Sequence, residues 1–338
     1  MKHFSTFRIL CIITLMLWCI LPAMSADKEQ REPNEPAFSA DGTQLVFRDD
    51  VTKAGEVLPS SSEIWIIKRD GTGARQLTSG FKDSHPRFST DGQLVAFTRD
   101  RDIWTVKTDG SGLRNITNTK NATESNAEFT HSGDLVFLRD AYESDKQTDA
   151  SAVKAMMGNP LFALGFGTSR QSVVLHRLTD NSEQDILGNG YAVTQIAPNP
   201  VFDNAIFVLC KPLDANGKPI GEMYAEDKVI AVVKLDGAAP RTVFAPKPES
   251  KIILQEMRVT PQRNVLVIKT PDQPVGQTAL LEDNNFVMLP DAPIFSDISQ
   301  NGKTIVGTGI VKGQDSLFGI VLYDIATKTT QQLIAPKK

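Results

Sequence analysis

Four polar residues stand at equivalent places in a repeated pattern, each just before a predicted apolar strand, where their side chains could do chemistry. They are Glu35, His85, Asn126 and Glu256. Two acids, a histidine and an asparagine around one opening could hold a cation or the basic group of a peptide. The corresponding positions of two other units carry apolar Val193 and Phe295. A solvated lining of a central channel is therefore an equally consistent interpretation.

The pattern that aligns these residues is an internal repeat. The segment 36–47, PAFSADGTQLVF, recurs at 86–97 as PRFSTDGQLVAF, and a shorter version follows at 129–137. Each copy reads as a strand, a tight turn and a strand, because Asp-Gly pairs favour the positive φ angles that close hairpins. A second hairpin, with Ile-Trp in its first strand, follows the first two copies. Each unit therefore contains four predicted strands.

Apolar residues that begin the inner strands occur six times along the chain. They are Phe38, Phe88, Phe129, Ile196, Val259 and Ile298. Repeated four-stranded units of this length are typical of propeller blades. The sequence thus predicts an all-β fold, a six-bladed β-propeller of four-stranded antiparallel blades over residues 27–338.

The two best copies carry a family resemblance. Pro-x-Phe-Ser-x-Asp-Gly, followed by Ile-Trp and then by Asp-Gly-x-Gly, resembles the TolB-type β-propeller repeat. The resemblance implies a six-bladed propeller in the bacterial periplasm, as in TolB, which binds partners of the Tol–Pal envelope system. TolB also has a small N-terminal domain. Here the first repeat begins near residue 36, so the predicted architecture lacks that domain.

Residues 1–26 have the layout of a cleaved signal peptide. Lys2 and Arg8 precede an apolar run, Ile9 to Leu21, and small residues follow it. The run is short for a membrane span, which needs about 20 residues, so we expect export to the periplasm or beyond the cell and no span in the mature chain. An uncleaved anchor is the alternative, and cleavage after Ser25 or after Ala26 fits equally well.

Charge and cysteine content exclude further classes. The formal net charge is −4, so the chain lacks the basic footprint of a nucleic-acid-binding protein. Cys210 is the one cysteine beyond the leader, and it lies in an apolar run. No disulfide can form within the mature chain, and a buried filler is the expected role of this thiol. We expect a monomer.

The long predicted loops all lie on one face of the disc, because alternate turns of an antiparallel blade emerge at the same end. The most unusual is an insertion in the third blade, at about 140–171. Four of its apolar residues are candidates for docking a partner, namely Met156, Met157, Phe162 and Phe166. Folding back of this segment onto the propeller is the alternative. Arg-Asp pairs after the second strands, at 48–49, 99–100 and 139–140, predict salt bridges between blades.

Catalytic motifs are weak throughout. No nucleophile elbow or dinucleotide loop occurs, and spacing does not bring His85, His131 and His176 together as zinc ligands. We therefore assign no catalytic residue, metal site or cofactor. The main functional prediction is a non-catalytic propeller that binds a protein or peptide partner and helps to maintain the cell envelope. The alternative is a metal-dependent enzyme that processes a carbohydrate or a lactone, with the metal near His85.

Overall fold

The repeated hairpins form six four-stranded antiparallel sheets, and each sheet is made of four consecutive strands. The computed structural model describes residues 29–141, 170–188, 190–199, 204–220, 227–270, 273–310 and 318–333. Within these ranges the sheets succeed one another as the blades of a β-propeller. The predicted all-β, six-bladed architecture is confirmed.

The blades are numbered in chain order, and the first strand of each is the innermost. Blade 1 contains β1 (Gln30–Phe38), β2 (Gln44–Thr52), β3 (Ser61–Lys68) and β4 (Arg75–Gln76). Blade 2 contains β5 (Ser84–Phe88), β6 (Leu94–Arg99), β7 (Asp102–Lys107) and β8 (Arg114–Asn115). Blade 3 contains β9 (Ala122–Phe129), β10 (Leu135–Ala141), β11 (Arg170–His176) and β12 (Glu183–Leu187). Blade 4 contains β13 (Gln195–Pro198), β14 (Ala205–Cys210), β15 (Val229–Lys234) and β16 (Arg241–Phe244). Blade 5 contains β17 (Ile253–Val259), β18 (Asn264–Thr270), β19 (Gln273–Glu282) and β20 (Asn285–Met288). Blade 6 contains β21 (Ile294–Ile298), β22 (Thr304–Ile310), β23 (Phe318–Asp324) and β24 (Thr329–Leu333).

The first turn of a blade is closed by its own side chains. In blade 1, Ser39 Oγ donates to Asp41 Oδ1 over 2.6 Å, and Asp41 accepts the Thr43 amide over 3.0 Å. Gly42 follows with φ +68°, in the left-handed region that glycine adopts at no steric cost. Blade 6 uses the same device with Asn301 in place of the aspartate, although its sequence motif is degraded. The turn chemistry therefore persists where the repeat is hard to recognise.

Apolar side chains fill the space between neighbouring blades. Strand β2 shows the principle: Val46 packs toward blade 2, whereas Leu45 and Phe47 pack toward blade 6. Successive side chains of a strand point to opposite faces, so each blade contributes to two cores. Six such clusters join the six blades in order among the described residues. The ring closes by packing of blade 1 on blade 6, since β1 belongs to the first sheet and β24 to the last.

The arginines of the Arg-Asp pairs form salt bridges within blades, so the prediction of inter-blade pairs is wrong. Arg48 contacts Glu35 and Asp50 of its own blade. Arg99 Nε and Nη2 donate to the two carboxylate oxygens of Asp83, both over 2.7 Å, just before blade 2. The strand pairing explains why these salt bridges stay within one blade. An arginine at the end of the second strand lies opposite the segment that leads into the first strand of the same blade.

The remaining described features are few. A single turn of 3₁₀ helix spans Pro248–Ser250, and the described part of the chain has no helix long and apolar enough to cross a membrane. Cys210 is fully buried, and burial raises the pKa of its thiol to about 12. The leader and most of the blade-three insertion, with Met156, Met157, Phe162 and Phe166, lie outside the described residues.

Replacement of Arg99 tests the buried ion pair at the entrance of blade 2. Arg99 and Asp83 are 3% and 1% exposed. An Arg99→Met variant leaves the Asp83 carboxylate buried without its partner, which should cost about 3–5 kcal/mol of unfolding free energy. Urea denaturation measures this loss. Arg101→Met, at an exposed arginine two residues further on, is the control and should change stability by less than about 0.5 kcal/mol. Equal effects of both substitutions would contradict the assigned role of Arg99.

Candidate functional site

Three of the four candidate residues occupy strained positions in the innermost strands. Glu35, His85 and Asn126 have φ of 51°, 53° and 53°, at places where the pairing with the second strand shifts register. A non-glycine residue in this region costs on the order of 1 kcal/mol or more and is enriched at functional sites. Glu256 follows the corresponding register shift in blade 5. We call the end of the channel formed by these four residues the channel mouth.

The carboxylate of Glu35 is fixed by two donors. Arg48 Nη1 donates to Oε1 over 2.9 Å, and the backbone amide of His85 donates to Oε2 over 2.7 Å. Arg48 is itself held by Asp50, which accepts from Arg48 Nη2 over 2.9 Å. Burial alone would raise the pKa of Glu35, but the charges of His85 and Arg48 and the amide outweigh it and hold the pKa below its usual value. Glu35 is therefore an ionised carboxylate with a fixed orientation.

The pKa of Glu256 is shifted in the opposite direction to that of Glu35. Burial raises the pKa of its carboxyl group, the charge of Arg87 opposes this rise, and the charge of Glu35 adds to it. Glu35 and Glu256 are therefore close enough for their charges to interact, and their pKa values are displaced in opposite directions. Such a divergence is a feature of sites that pair a general acid with a general base.

His85 lies beside the same pair. Its Nε2 is 3.7 Å from Glu35 Oε1, and its side chain is 40% exposed. Burial in the channel lowers the pKa of the imidazole, Arg87 and Arg48 lower it further, and Glu35 opposes them. At neutral pH the ring is uncharged. Asn126 is more distant from this group: its side-chain amide donates to the Thr194 carbonyl over 3.4 Å.

A second set of polar residues crosses the channel, and the sequence analysis missed it. We call it the channel belt, which consists of Arg87, Glu128, Gln195, Arg258 and Asp297. Arg87 Nε donates to Glu128 Oε1 over 2.9 Å, and Arg258 Nη2 lies 3.4 Å from the same oxygen. Arg258 Nη1 donates to Gln195 over 3.1 Å, and Arg258 Nε lies 3.7 Å from Asp297 Oδ1. These contacts join five different blades across the axis.

Burial dominates the charge state of the belt acids. It raises the pKa of Glu128 to about 7, although Arg87 opposes the rise, and it also raises the pKa of Asp297. The side chains of Glu128 and Asp297 are only 15% and 17% exposed. The belt therefore carries two permanent cations and two carboxyl groups that bind protons more tightly than usual.

The belt has a signature in the sequence. Its members occupy the variable position of Pro-x-Phe-Ser and the equivalent position of the other units, two residues after the channel-mouth residues. A position inside a buried strand that carries Arg, Glu, Gln, Arg and Asp in successive units indicates a shared polar environment. Treating that position as variable concealed the signal.

The channel belt forms the floor of a cavity of about 150 Å³ at the other end of the channel. First turns of the blades line it, including residues 39–40, 89–90 and 260–261. The sequence analysis treated these turns as packing only, because they are short. Their backbone encloses the cavity even so, since all six blades converge there.

The donors needed for a metal are not assembled at the channel mouth. Among the residues that the structure describes, no three His, Cys, Asp or Glu side chains are grouped to hold a metal ion. His176 is buried and contacts Glu183, and His131 lies in a first turn. The described part of the channel therefore does not fit the metal of the alternative functional prediction.

Comparisons with solved structures show what this fold resembles. An oligogalacturonate lyase in complex with manganese is 14% identical with a TM-score of 0.57, over 90% of this chain and 77% of that one. The oligogalacturonate lyase of Vibrio parahaemolyticus is 13% identical with a TM-score of 0.55, over 90% and 79%. The propeller domain of the trilobed protease of Pyrococcus furiosus, which has an open velcro topology, is 12% identical with a TM-score of 0.51, over 90% and 96%.

The sequence matches no protein-family model and has no significant match among curated proteins. At these low identities, the solved structures show a shared fold and no more. The chain is a six-bladed β-propeller of the kind found in these proteins.

The main functional prediction, a non-catalytic binding propeller, is contradicted by these comparisons. The similar structures include two lyases and a protease propeller, which favours the alternative of an enzyme that processes a carbohydrate. The sequence analysis gave an enzyme only as its alternative, because the polar residues of the channel come from different blades and form no local motif.

The pH dependence of stability tests the state of Glu128. Because the folded state raises the pKa of Glu128 to about 7, folding favours its proton-bound form. Its contribution to stability is complete below the unfolded pKa and declines as pH rises toward 7, by at most about 3 kcal/mol. The unfolding free energy of Glu128→Gln should therefore fall less than that of the unsubstituted protein between acidic and slightly alkaline pH. Parallel pH profiles from urea titrations would show that Glu128 titrates normally.

Proposed function

We propose that this chain is a carbohydrate-processing enzyme that cleaves a glycosidic bond at the channel mouth. Glu256 is the general acid and Glu35 is the general base. The observation that carries the proposal is the pairing of a fixed, ionised carboxylate with a second carboxyl group that interacts with its charge and favours the protonated form.

Glycoside hydrolysis requires two carboxyl groups with different roles. One protonates the leaving oxygen, and the other accepts a proton from the attacking water. Glu256 suits the first role because burial raises the pKa of its carboxyl group. Glu35 suits the second because Arg48 and the His85 amide keep its carboxylate ionised and oriented. The water supplies its hydrogen to one product and its hydroxyl group to the other, so the reaction needs no further reactant.

The other residues of the mouth position the substrate. The neutral His85 ring can donate or accept a hydrogen bond from a sugar hydroxyl, and Asn126 offers a further amide at the rim. Arg48 and Arg87 do not bind the sugar in this proposal, since each already contacts a carboxylate. Their role is to set the charge states of Glu35 and Glu256.

Elimination is a second candidate, and it is favoured by the similarity to the two oligogalacturonate lyases. In that reaction the base removes a proton from the carbon next to the uronate carboxyl group, and Glu256 protonates the leaving oxygen. The acidic residues of the mouth favour an uncharged sugar over a uronate, so hydrolysis is the primary proposal. The two reactions differ in product, because elimination leaves a carbon–carbon double bond that absorbs ultraviolet light.

The cellular setting is also a proposal. Residues 1–26 act as a cleaved leader that exports a monomeric propeller to the periplasm or beyond the cell. The motif shared by 36–47 and 86–97 supports assignment to the TolB-type repeat family. Residues 27–338 then form the mature enzyme, which needs no nucleic-acid partner.

Substitution of the two carboxyl groups tests the proposed reaction. On a panel of neutral oligosaccharides and oligogalacturonate, Glu256→Gln and Glu35→Gln should each lower kcat about 10²- to 10⁴-fold, because each removes one proton transfer. Reducing-end release reports cleavage of any glycosidic bond, and ultraviolet absorbance reports elimination alone. Glu249→Gln is the matched control and should keep full activity. Glu249 is an exposed glutamate in the 3₁₀ turn just before blade 5. Full activity of Glu256→Gln, or no cleavage of any oligosaccharide by the unsubstituted protein, would contradict the proposal.

A further inference from the structure

The cavity at the end of the channel opposite the mouth is lined by residues from all six blades. Glu35, His85 and Glu256 are not among them, so we treat this turn-end cavity as separate from the proposed active site. Its volume is about 150 Å³. A cavity of this volume can hold a small organic molecule, on the order of the size of benzene.

Apolar residues lie around the turn-end cavity, and their side chains also pack in the cores between blades. They are Phe38, Phe88, Phe129, Val259 and Ile298. The floor is the channel belt, with two guanidinium groups and two carboxyl groups. The cavity thus combines an apolar wall with a floor that presents both signs of charge.

The belt does not satisfy all of its own polar atoms. Arg258 lies 3.4 Å and 3.7 Å from its two carboxylate neighbours, and the second distance exceeds hydrogen-bond length. Arg258 Nε is buried and has no hydrogen-bond partner within the described part of the structure, and the side chain is only 11% exposed. A buried donor without an acceptor destabilises the folded protein, because it has lost its hydrogen bonds to water.

The two carboxyl groups of the belt also have unused hydrogen-bond acceptor positions. Glu128 receives one close hydrogen bond, from Arg87, on Oε1. Asp297 receives the Phe38 amide on Oδ2 over 2.8 Å. A carboxylate can accept about four hydrogen bonds, so both acids can accept donors from a ligand. The raised pKa values of Glu128 and Asp297 agree with this incomplete compensation of their charge.

We propose that the turn-end cavity binds a small zwitterion, with a carboxylate directed to Arg258 and Arg87 and an ammonium group directed to Glu128 and Asp297. An amino acid with a small apolar side chain has this chemistry, and its side chain would lie beside the apolar residues that line the cavity. An anion alone would not use the remaining acceptor positions of the acids, and a cation alone would not supply an acceptor to Arg258. The proposal is independent of the reaction at the channel mouth.

Binding of matched probes to the full chain tests this site. Isothermal titration calorimetry would compare L-alanine and L-leucine with acetate, which carries only the anion, and ethylamine, which carries only the cation. We expect at least one amino acid to bind, and acetate and ethylamine to bind about 10- to 100-fold more weakly, because each lacks one set of charged hydrogen bonds. Binding of acetate or ethylamine as tight as that of the amino acids, or no binding of either amino acid, would overturn the proposal.

Variants of the channel belt and of the channel mouth show at which end of the channel an amino acid binds. Arg258→Gln and Glu128→Gln should each weaken amino-acid binding about tenfold or more. Glu256→Gln, at the channel mouth, should leave the Kd unchanged. An equal loss in Glu256→Gln and Glu128→Gln would move the binding to the mouth and overturn the assignment. If a belt variant fails to fold, the comparison of the four probes on the unsubstituted protein still tests whether the protein prefers a zwitterion.

Discussion

The buried guanidinium of Arg87 is the charge on which the chemistry of the channel depends. Its side chain is 11% exposed, yet its charge interacts with Glu35, Glu128, Glu256 and Asp297. Desolvation raises the pKa of a carboxyl group, and a nearby cation lowers it. Because Arg87 opposes the first effect at several acids, small differences in burial and in other partners decide which of them hold protons. One cation thus allows carboxyl groups with different charge states to share a narrow channel.

The propeller supplies the rigidity that this arrangement needs. Six apolar clusters fix each blade against its neighbours, and the innermost strands of blades 2, 3 and 5 each deliver one residue to the mouth and another to the belt. The left-handed conformations of Glu35 and His85 turn their backbone so that the His85 amide meets the Glu35 carboxylate. The cost of this strain is offset by the surrounding sheet pairing and cores. The packing and pairing of the blades therefore stabilise the strained backbone and the charged side chains along the channel.

The hairpins could be predicted from the sequence because turns and strand periodicity are local. Asp41-Gly42 and its copies determine the blades, and alignment of the repeats placed Glu35, His85 and Asn126 at equivalent positions, which their shared φ values confirm. The repeat alignment also places the channel-belt residues at equivalent positions, but it does not predict their contacts. Arg87 meets Glu128 of the next blade, and Arg258 reaches Glu128 across the ring and Asp297 of blade 6. Pairs of this kind depend on closure of the disc, which no single repeat encodes.

The central claim is that one electrostatic network lowers the pKa of Glu35 and raises the pKa of Glu256. Carbon-13 NMR titration of the glutamate side-chain carboxyl groups, assigned with the Gln variants, measures this directly. The account predicts that Glu35 titrates below the usual value of 4.5 and Glu256 above it, and that Arg87→Gln moves both to higher pH. Titration of both carboxyl groups at the usual value, with no response to Arg87→Gln, would contradict the account.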